Sequence, residues 1–401
     1  MTASGSSSAR DPATTPVVVA CCRTAIGRAH ATKGIFRHVR GDELEAAVVR
    51  AVVERSGVAP EAIEDVVLGA TQQRGELGGN VARTVALMAG LPFTAGATTV
   101  NRLCGSSLQA LAQACHAIVA GAADVQVVGG VEHMHHLPME SAVDIHPQAL
   151  ARTSRGMLSM GLTAEHLAAT RGVDRRRQEA FAVESHRRAA AAEDAGAFED
   201  EIVPVLGHDE TGAVVTALSD QSVRRDTSLE AMAALEPVFL PRVGTITAAT
   251  SSPISDGAAA MLVMSEATAR RQGLEPLARV VATAVVGVPP AAMGIGPVAA
   301  TRKLLARVAD RGIRLAQIDR IEINEAFAAQ TLACIDELEL DHGRVNVRGG
   351  AMAIGHPLGA SGARIATMLL HTLRDDGVRL GLATMCIGLG QGIAVLFERC
   401  E

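Results

Sequence analysis

Three separated residues have the types and settings that nucleophilic catalysis needs: Cys104, His356 and Cys386. The segment TTVNRLCGSSLQALAQACHAIVAG places Cys104 after an apolar extended run and just before a long helix, with Gly105 and Ser106 permitting a tight turn. Free N–H groups and the helix dipole at that position favour a thiolate, so the sequence predicts a lowered thiol pKa and a nucleophile at neutral pH. Downstream, NVRGGAMAIGHPLGASGARIATMLLHTL repeats the layout of a glycine-rich turn running into a helix, with His356 and Pro357 at the turn. In ATMCIGLGQGIAVLFER, Cys386 lies between an apolar strand-like run and three glycines. Singly, each has a plain reading, a buried structural thiol or a hydrogen-bonded turn histidine. Jointly they supply a nucleophile, a base and an acid.

Two other patterns carry less. Glu132, His133, His135 and His136 in GGVEHMHHLPME match no common zinc-ligand spacing, so a polar loop is expected and no metal. The glycines Gly388 to Gly392 precede a strand instead of opening a helix, which is the wrong context for a dinucleotide loop.

These residues must be held by a layered α/β core. From Val17 onward, β-branched runs alternate with alanine-rich stretches of helical period, as in PVVVACC, ELEAAVVRAVVERSG and IEDVVLG. QIDRIEINEAFAAQ, near Gln317, echoes AIEDVVLGATQQ, near Ala62, and the glycine-led runs DGAAAMLVMSE and GQGIAVLFER end alike, so the chain reads as an internal duplication. The first copy carries an insertion of about 120 residues. Its expected place is 134–243, which is richer in His, Arg, Met and Glu and lacks buried-strand runs. The expected organisation is a disordered tail at 1–16, a first half at 17–133 and 244–286, an inserted loop domain at 134–243, and a second half at 287–401.

Composition narrows the partners. A chain of 401 residues, 48% apolar and 20% charged, can bury a sizeable core. A net charge of -6 without Trp or Tyr gives no footprint for nucleic acid, so small molecules are expected. Seven cysteines without a C-x-x-C pair suit reduced thiols in a cytoplasmic protein. The opening segment lacks the apolar run of a signal peptide, and no later stretch is expected to span a bilayer.

NRLCGSSLQA, NEAFAAQ, GGAMAIGHPLGASGARI and ATMCIGLGQG, in that order, resemble the successive motifs of the thiolase family over nearly the whole chain from Val17. GGVEHM, SDGAAAMLVMSE and GLATMCIGLGQG are most similar to its bacterial fatty-acid β-oxidation members, the 3-ketoacyl-CoA thiolases. The resemblance implies two similar βαβαβαββ halves in a five-layer α-β-α-β-α fold, with the inserted loop domain shaping a tunnel for coenzyme A. It also implies an acyltransferase that cleaves 3-ketoacyl-CoA with CoA by a ping-pong route, with CoA as co-substrate and no cofactor. By residue, Cys104 matches the acylated nucleophile, His356 the residue that activates it and Cys386 the acid/base at the acetyl-CoA α-carbon. Asn324 matches the side chain that holds a water in one oxyanion hole beside His356, and the backbone N–H groups of Cys104 and Gly388 match a second hole. Ser252 matches a pantetheine contact and Arg224 a contact near the adenine nucleotide, with Arg225 an adjacent candidate.

Short-chain biosynthetic relatives often carry a histidine before Met-Gly where LSMGLTAEH has Ser159, which favours the degradative branch; Ala360 in GHPLGASGAR resembles the biosynthetic pattern. The alternatives are an acetoacetyl-CoA thiolase that condenses two acetyl-CoA molecules and, outside enzymes, an inactive CoA-binding subunit. A decarboxylating ketoacyl synthase is disfavoured by Cys386. The resemblance further implies a homodimer or homotetramer and allows a complex with a hydratase/dehydrogenase subunit.

Overall fold

In the computed structural model, residues 11–139 and 144–400 are described. The first half contains β1 (Pro16–Thr24), α1 (Gly41–Ser56), β2 (Asp65–Gly69), α2 (Val81–Met88), β3 (Gly96–Val100), α3 (Ser106–Ala120), β4 (Val125–His133) and, after the insertion, β5 (Ser255–Ser265). The second contains β6 (Ala278–Gly287), α6 (Gly296–Arg307), β7 (Arg320–Ile323), α7 (Ala328–Glu337), the single turn α8 (Ala351–Ile354), α9 (Leu358–Asp375), β8 (Leu380–Ile387) and β9 (Gln391–Arg399). Between the halves' strands, the insertion supplies α4 (Met160–Arg171) and α5 (Arg175–Asp194).

The strand order is β7-β8-β9-β6-β1-β5-β4-β2-β3. Read outward from the central β6–β1 pair, the order repeats: β5, β4, β2 on one side correspond to β9, β8, β7 on the other. An isolated bridge, Ile321 to Val345, stands where β3 pairs with β2 in the first half. The duplication expected from the sequence is therefore a structural one, and α3 and α9 occupy equivalent places in the two copies.

Strand alternation explains the layering, because successive side chains point to opposite faces. Val67, Val128 and Met261 join Leu108 and Leu111 of α3, Ile365 and Leu369 of α9, and Met385, Ile393 and Val395 in one apolar cluster. The neighbouring positions Val66, Leu68, Val127 and Leu262 instead pack with Leu44, Val48 and Val49 of α1 and Val81 and Val85 of α2. In the second half, Ile321, Ile323, Leu382 and Leu396 pack with Leu304 of α6 and Leu332 of α7. Helices thus lie outside both sheet halves and between them, giving the five-layer α-β-α-β-α order.

Two expectations need correction. Of the expected tail at 1–16, residues 1–10 lie outside the described residues, but Pro12–Thr14 form a 3-10 turn capped by the Asp11 carboxylate, and β1 begins at Pro16. The Thr15 carbonyl accepts from the Glu266 N–H at 2.8 Å, which ties this segment to the core. Secondly, the window Leu103–Ala120 does meet the length and hydropathy of a membrane span. Its apolar side serves the centre of the protein, with Leu108, Leu111, Cys115 and Ile118 packed in the core while Gln113, His116 and Val119 are exposed.

The insertion is tied down by charge. Ile202–Val203 adds a short parallel strand to β1, and beside it Arg23 is fully buried between Glu201 and Asp220, with contacts of 2.7–3.0 Å to the two carboxylates. Removing one partner of such a buried cluster strands the remaining charges in a poor dielectric. Arg23→Met is expected to lower the unfolding free energy by about 3–5 kcal/mol, measured by urea denaturation; a loss below 1 kcal/mol (roughly the value of an exposed pair) would mean the cluster is not the anchor.

Candidate active site

The two central helices set the site. Ala363 N–H of α9 donates to the Ser107 hydroxyl of α3 at 2.8 Å. A Cβ at Gly362 would sit 2.6 Å from the Leu108 backbone nitrogen, so only glycine lets the helices approach this closely. Their N-termini consequently lie side by side, with Cys104 just ahead of α3 and His356 just ahead of α9.

Glu132, at the end of β4, fixes the relative height of these turns. Its buried carboxylate accepts from Thr71 N–H and Gln72 N–H at 3.1 Å in the first half and from Gly359 N–H at 2.9 Å in the second. Arg102 makes a second tie, donating to Gln109 at 2.8 Å and to Gln391 at 2.9 Å, so the nucleophile turn is bound to the β8–β9 hairpin. Neither tie was assigned from the sequence, where Glu132 stood out only as one of a possible ligand group. The polar-loop expectation for that group is corrected as well: Glu132 and His133 are fully buried strand-end residues, and the turn starts after them.

Cys104 follows Leu103, which is held at φ 46° in the left-handed region with its N–H donated to Asn101 Oδ1 at 2.8 Å. A bulky residue in that conformation is strained, and such strain is held where surrounding contacts dictate the chain path. Part of Cys104 reaches solvent, but its sulfur is enclosed. Burial pushes the thiol up to about 11, outweighing the Gly388 and Cys104 backbone N–H groups that favour the thiolate, and the Glu132 charge adds to the rise. The lowered pKa expected from the helix N-terminus is thus overturned: desolvation outweighs the backbone N–H groups that favour the thiolate.

His356 is buried. Its backbone N–H donates to the Ser255 hydroxyl at 3.2 Å and its Nδ1 lies 2.6 Å from Ser361 Oγ. Asn324 Nδ2 lies 3.3 Å from its Nε2. Burial, assisted by the Arg364 guanidinium two turns along α9, holds the imidazole down to about 3. The site therefore holds a neutral thiol at the head of α3 and a neutral imidazole at the head of α9.

Cys386, near the end of β8, is buried, and its thiol is raised well above the ordinary value by burial and by Cys104 and Cys334. Asn324 extends β7 beside β8, its N–H bonded to the Thr384 carbonyl at 3.1 Å, and its buried Oδ1 has no partner among the described residues. Gly388 opens the three-residue loop that turns β8 into β9, as the expected glycine context required. Cys104, His356, Cys386, Asn324 and Gly388 are thereby brought together at one end of the central layer.

The two CoA-binding candidates lie further out. Ser252 N–H bonds to the Ala326 carbonyl at 3.0 Å, which places it against the NEAF segment that carries Asn324. Arg224 is exposed in the insertion, its N–H donating to His186 at 3.1 Å, with no hydrogen bond from its guanidinium among the described residues. Arg225 is ion-paired with Asp194 and Glu193.

His133, His136 and Glu76 bring donor atoms within 4.8 Å of one another. They close on protein partners: His133 Nε2 on the Phe36 carbonyl, His136 Nε2 on the Arg37 carbonyl, His136 Nδ1 on Glu76, and His133 Nδ1 on the His136 N–H. Among the described residues this group packs under the start of α1, where Glu76 also accepts from Gly41 N–H at 2.7 Å.

The chain matches two family descriptions, "Thiolase, N-terminal domain" over residues 16–267 and "Thiolase, C-terminal domain" over residues 274–399. A 3-ketoacyl-CoA thiolase of Shewanella baltica is 51% identical over 387 residues, covering 96% of this chain and 99% of the relative. The 3-ketoacyl-CoA thiolase of Shewanella frigidimarina is 51% identical with the same coverage. Among solved structures, human mitochondrial 3-ketoacyl-CoA thiolase superposes with a TM-score of 0.88 at 36% identity, and Bacillus anthracis acetyl-CoA acetyltransferase with 0.87 at 37%; each covers 96% of this chain and 99% of the other.

The neutral resting state has a direct test. With the thiol at about 11, the thiolate fraction grows about tenfold per pH unit through the neutral and mildly basic range. Iodoacetamide labelling of Cys104, followed by peptide mass spectrometry, is expected to be slow at pH 7 and to climb in that proportion to pH 10. A rate already level at pH 7 would reveal a preformed thiolate.

Proposed function

The chain belongs to the thiolase family, and we propose that Cys104, His356 and Cys386 together carry out CoA-dependent cleavage of 3-ketoacyl-CoA, releasing acetyl-CoA and an acyl-CoA two carbons shorter, as in fatty-acid β-oxidation. The observation that carries this reading is the enclosure of two thiols and one imidazole at the paired N-termini of α3 and α9, beside inward-facing backbone N–H groups. Acyl transfer through a thioester needs that combination.

In the first half-reaction His356 takes the Cys104 proton as the sulfur attacks the 3-keto carbon. The resulting alkoxide draws on the Cys104 and Gly388 N–H groups, the same donors that act on the Cys104 sulfur. Its collapse restores a carbonyl and breaks the C2–C3 bond, expelling an acetyl-CoA enolate whose oxygen is received beside His356 and Asn324. The Cys386 thiol then protonates the enolate carbon, and acetyl-CoA leaves. His356 then passes its proton to the Cys386 thiolate, and in the second half-reaction the incoming CoA thiol gives its proton to His356 and attacks the Cys104 thioester. Cys104 departs and recovers its proton from His356, so each group ends as it began.

Coenzyme A enters as a substrate. Ser252 is proposed to meet its pantetheine arm and Arg224 its nucleotide end, with the segment 134–243 as the loop domain that walls the approach. A homodimer or homotetramer is supported by the outer edge of β3, the last strand of the sheet, and by Phe93, 85% exposed beside it. A cytoplasmic location is supported by seven free cysteines.

Incubation with a 3-ketoacyl-CoA, quenching and peptide mapping should find the acyl group on Cys104; an adduct confined to another cysteine would refute the assignment. Cys386→Ser is expected to keep acyl exchange between Cys104 and CoA within about tenfold while carbon–carbon cleavage falls by about 10²–10⁴, the usual weight of an acid/base group. Equal losses in both steps would remove Cys386 from the proton transfer. Across substrates of about four to sixteen carbons, thiolysis is expected to rise beyond four. Activity confined to acetoacetyl-CoA would assign the acetyltransferase reaction instead, and no turnover at any length would leave a CoA-binding protein.

A further inference from the structure

We propose that Ser361 is the positioning residue of this site: by accepting a hydrogen bond from His356 Nδ1–H it holds the imidazole in the tautomer whose Nε2 is free to take the Cys104 proton. The inference deepens the proposed function and rests on His356 acting there as the base.

The contact is the shortest that His356 makes, 2.6 Å from Nδ1 to Ser361 Oγ, and both residues are buried. The hydroxyl has one proton, and the Pro357 carbonyl lies 3.0 Å away to receive it. With that proton committed, the oxygen faces Nδ1 with a lone pair, so Nδ1 must carry the ring proton. Asn324 Nδ2 lies 3.4 Å from Nδ1 and 3.3 Å from Nε2, nearly equidistant from the two ring nitrogens, so it favours neither tautomer and the choice falls to Ser361. The Ser255 hydroxyl, accepting from the His356 backbone N–H, fixes the main chain that carries the ring, and Ser361 sets the ring itself.

The arrangement suits the chemistry in both protonation states. While His356 is neutral, the hydrogen bond selects the tautomer; when Nε2 gains the thiol proton, the same bond strengthens because its donor is now charged. A hydroxyl does this without bringing a carboxylate into the layer. Among the charged groups near the ring, Arg364 on α9 opposes the imidazolium. A neutral acceptor at Nδ1 leaves this unchanged. Position also matters, since Ser361 lies in the first turn of α9 with its N–H bonded to the Pro357 carbonyl at 3.0 Å; the helix that sets the height of His356 also carries its orienting oxygen.

The test compares Ser361→Ala, Ser361→Thr and His356→Ala in steady-state thiolysis of one 3-ketoacyl-CoA, with thermal melts of each. Ser361→Ala is expected to lower kcat about ten- to a hundredfold, part of the weight of a general base, with KM for both substrates within about twofold and a native melt. Ser361→Thr keeps the oxygen and is expected to recover most of kcat. Unchanged kcat in Ser361→Ala, equal losses in both variants, KM rising in step with the loss, or a melt lost only in Ser361→Ala would each overturn the proposal. Full activity in His356→Ala would instead sink the parent reading of His356 as base, so the two failures are distinct.

Discussion

The close approach of α3 and α9 is the constraint on which the rest of the molecule depends. Two helices can share the layer between two sheet halves only if their facing residues are small, and here the contact is made by Gly362, Ala363 and Ser107. The surrounding strands are fitted to the same spacing. A Cβ at Gly69 would strike the Ser106 backbone at 2.6 Å, and one at Gly130 the Gly359 carbonyl at 2.4 Å. The abundance of alanine and glycine in this chain is thus a demand of the central layer. Enlarging any of these residues would part the helix N-termini, and with them Cys104 and His356, by displacements that positional catalysis does not tolerate.

The same enclosure sets the electrostatics. A cysteine at a helix N-terminus would ordinarily gain acidity, but the density that aligns the helices also strips water from the sulfur. The outcome is a thiol raised to about 11 and an imidazole lowered to about 3. Proton transfer between two such groups is uphill at rest, so on the proposed mechanism the thiolate forms as charge moves on to the substrate oxygen and reaches the Cys104 and Gly388 N–H groups. A site of this kind protects its nucleophile from stray electrophiles and activates it only against a carbonyl placed in the hole.

How much of this was legible in the sequence follows from what each residue answers to. Cys104, His356 and Cys386 stand where element types switch, and the glycines and proline around them mark those switches locally. The duplication was visible because paired strands repeat their apolar spacing, and the sheet repeats it in the mirrored strand order. Glu132 was hidden, since its task of joining Thr71, Gln72 and Gly359 depends on three distant segments meeting. Ser361 was hidden for another reason: within GASGAR it reads as one more small packing residue. The direction of the Cys104 shift was misjudged because the dipole is a local property and burial a global one. The Leu103–Ala120 window shows the same limit, as a helix whose apolar side faces a protein core can match in composition one that faces lipid.

Duplication explains why a single reaction draws on both halves. Each copy offers the same two anchoring places, the turn before its central helix and the end of the strand that follows it. In the first copy these hold Cys104 and Glu132; in the second, His356 and Cys386. On the proposed mechanism chemistry occupies three of the four places, and the fourth carries a carboxylate that accepts backbone N–H groups from both copies. A reactive group at that place would lack the tie between the halves, and a second structural carboxylate in place of Cys386 would leave no thiol for the enolate proton. The asymmetry between Glu132 and Cys386 is what turns two equivalent folds into one site, with one position spent on holding the copies in register so that the other three can react across them.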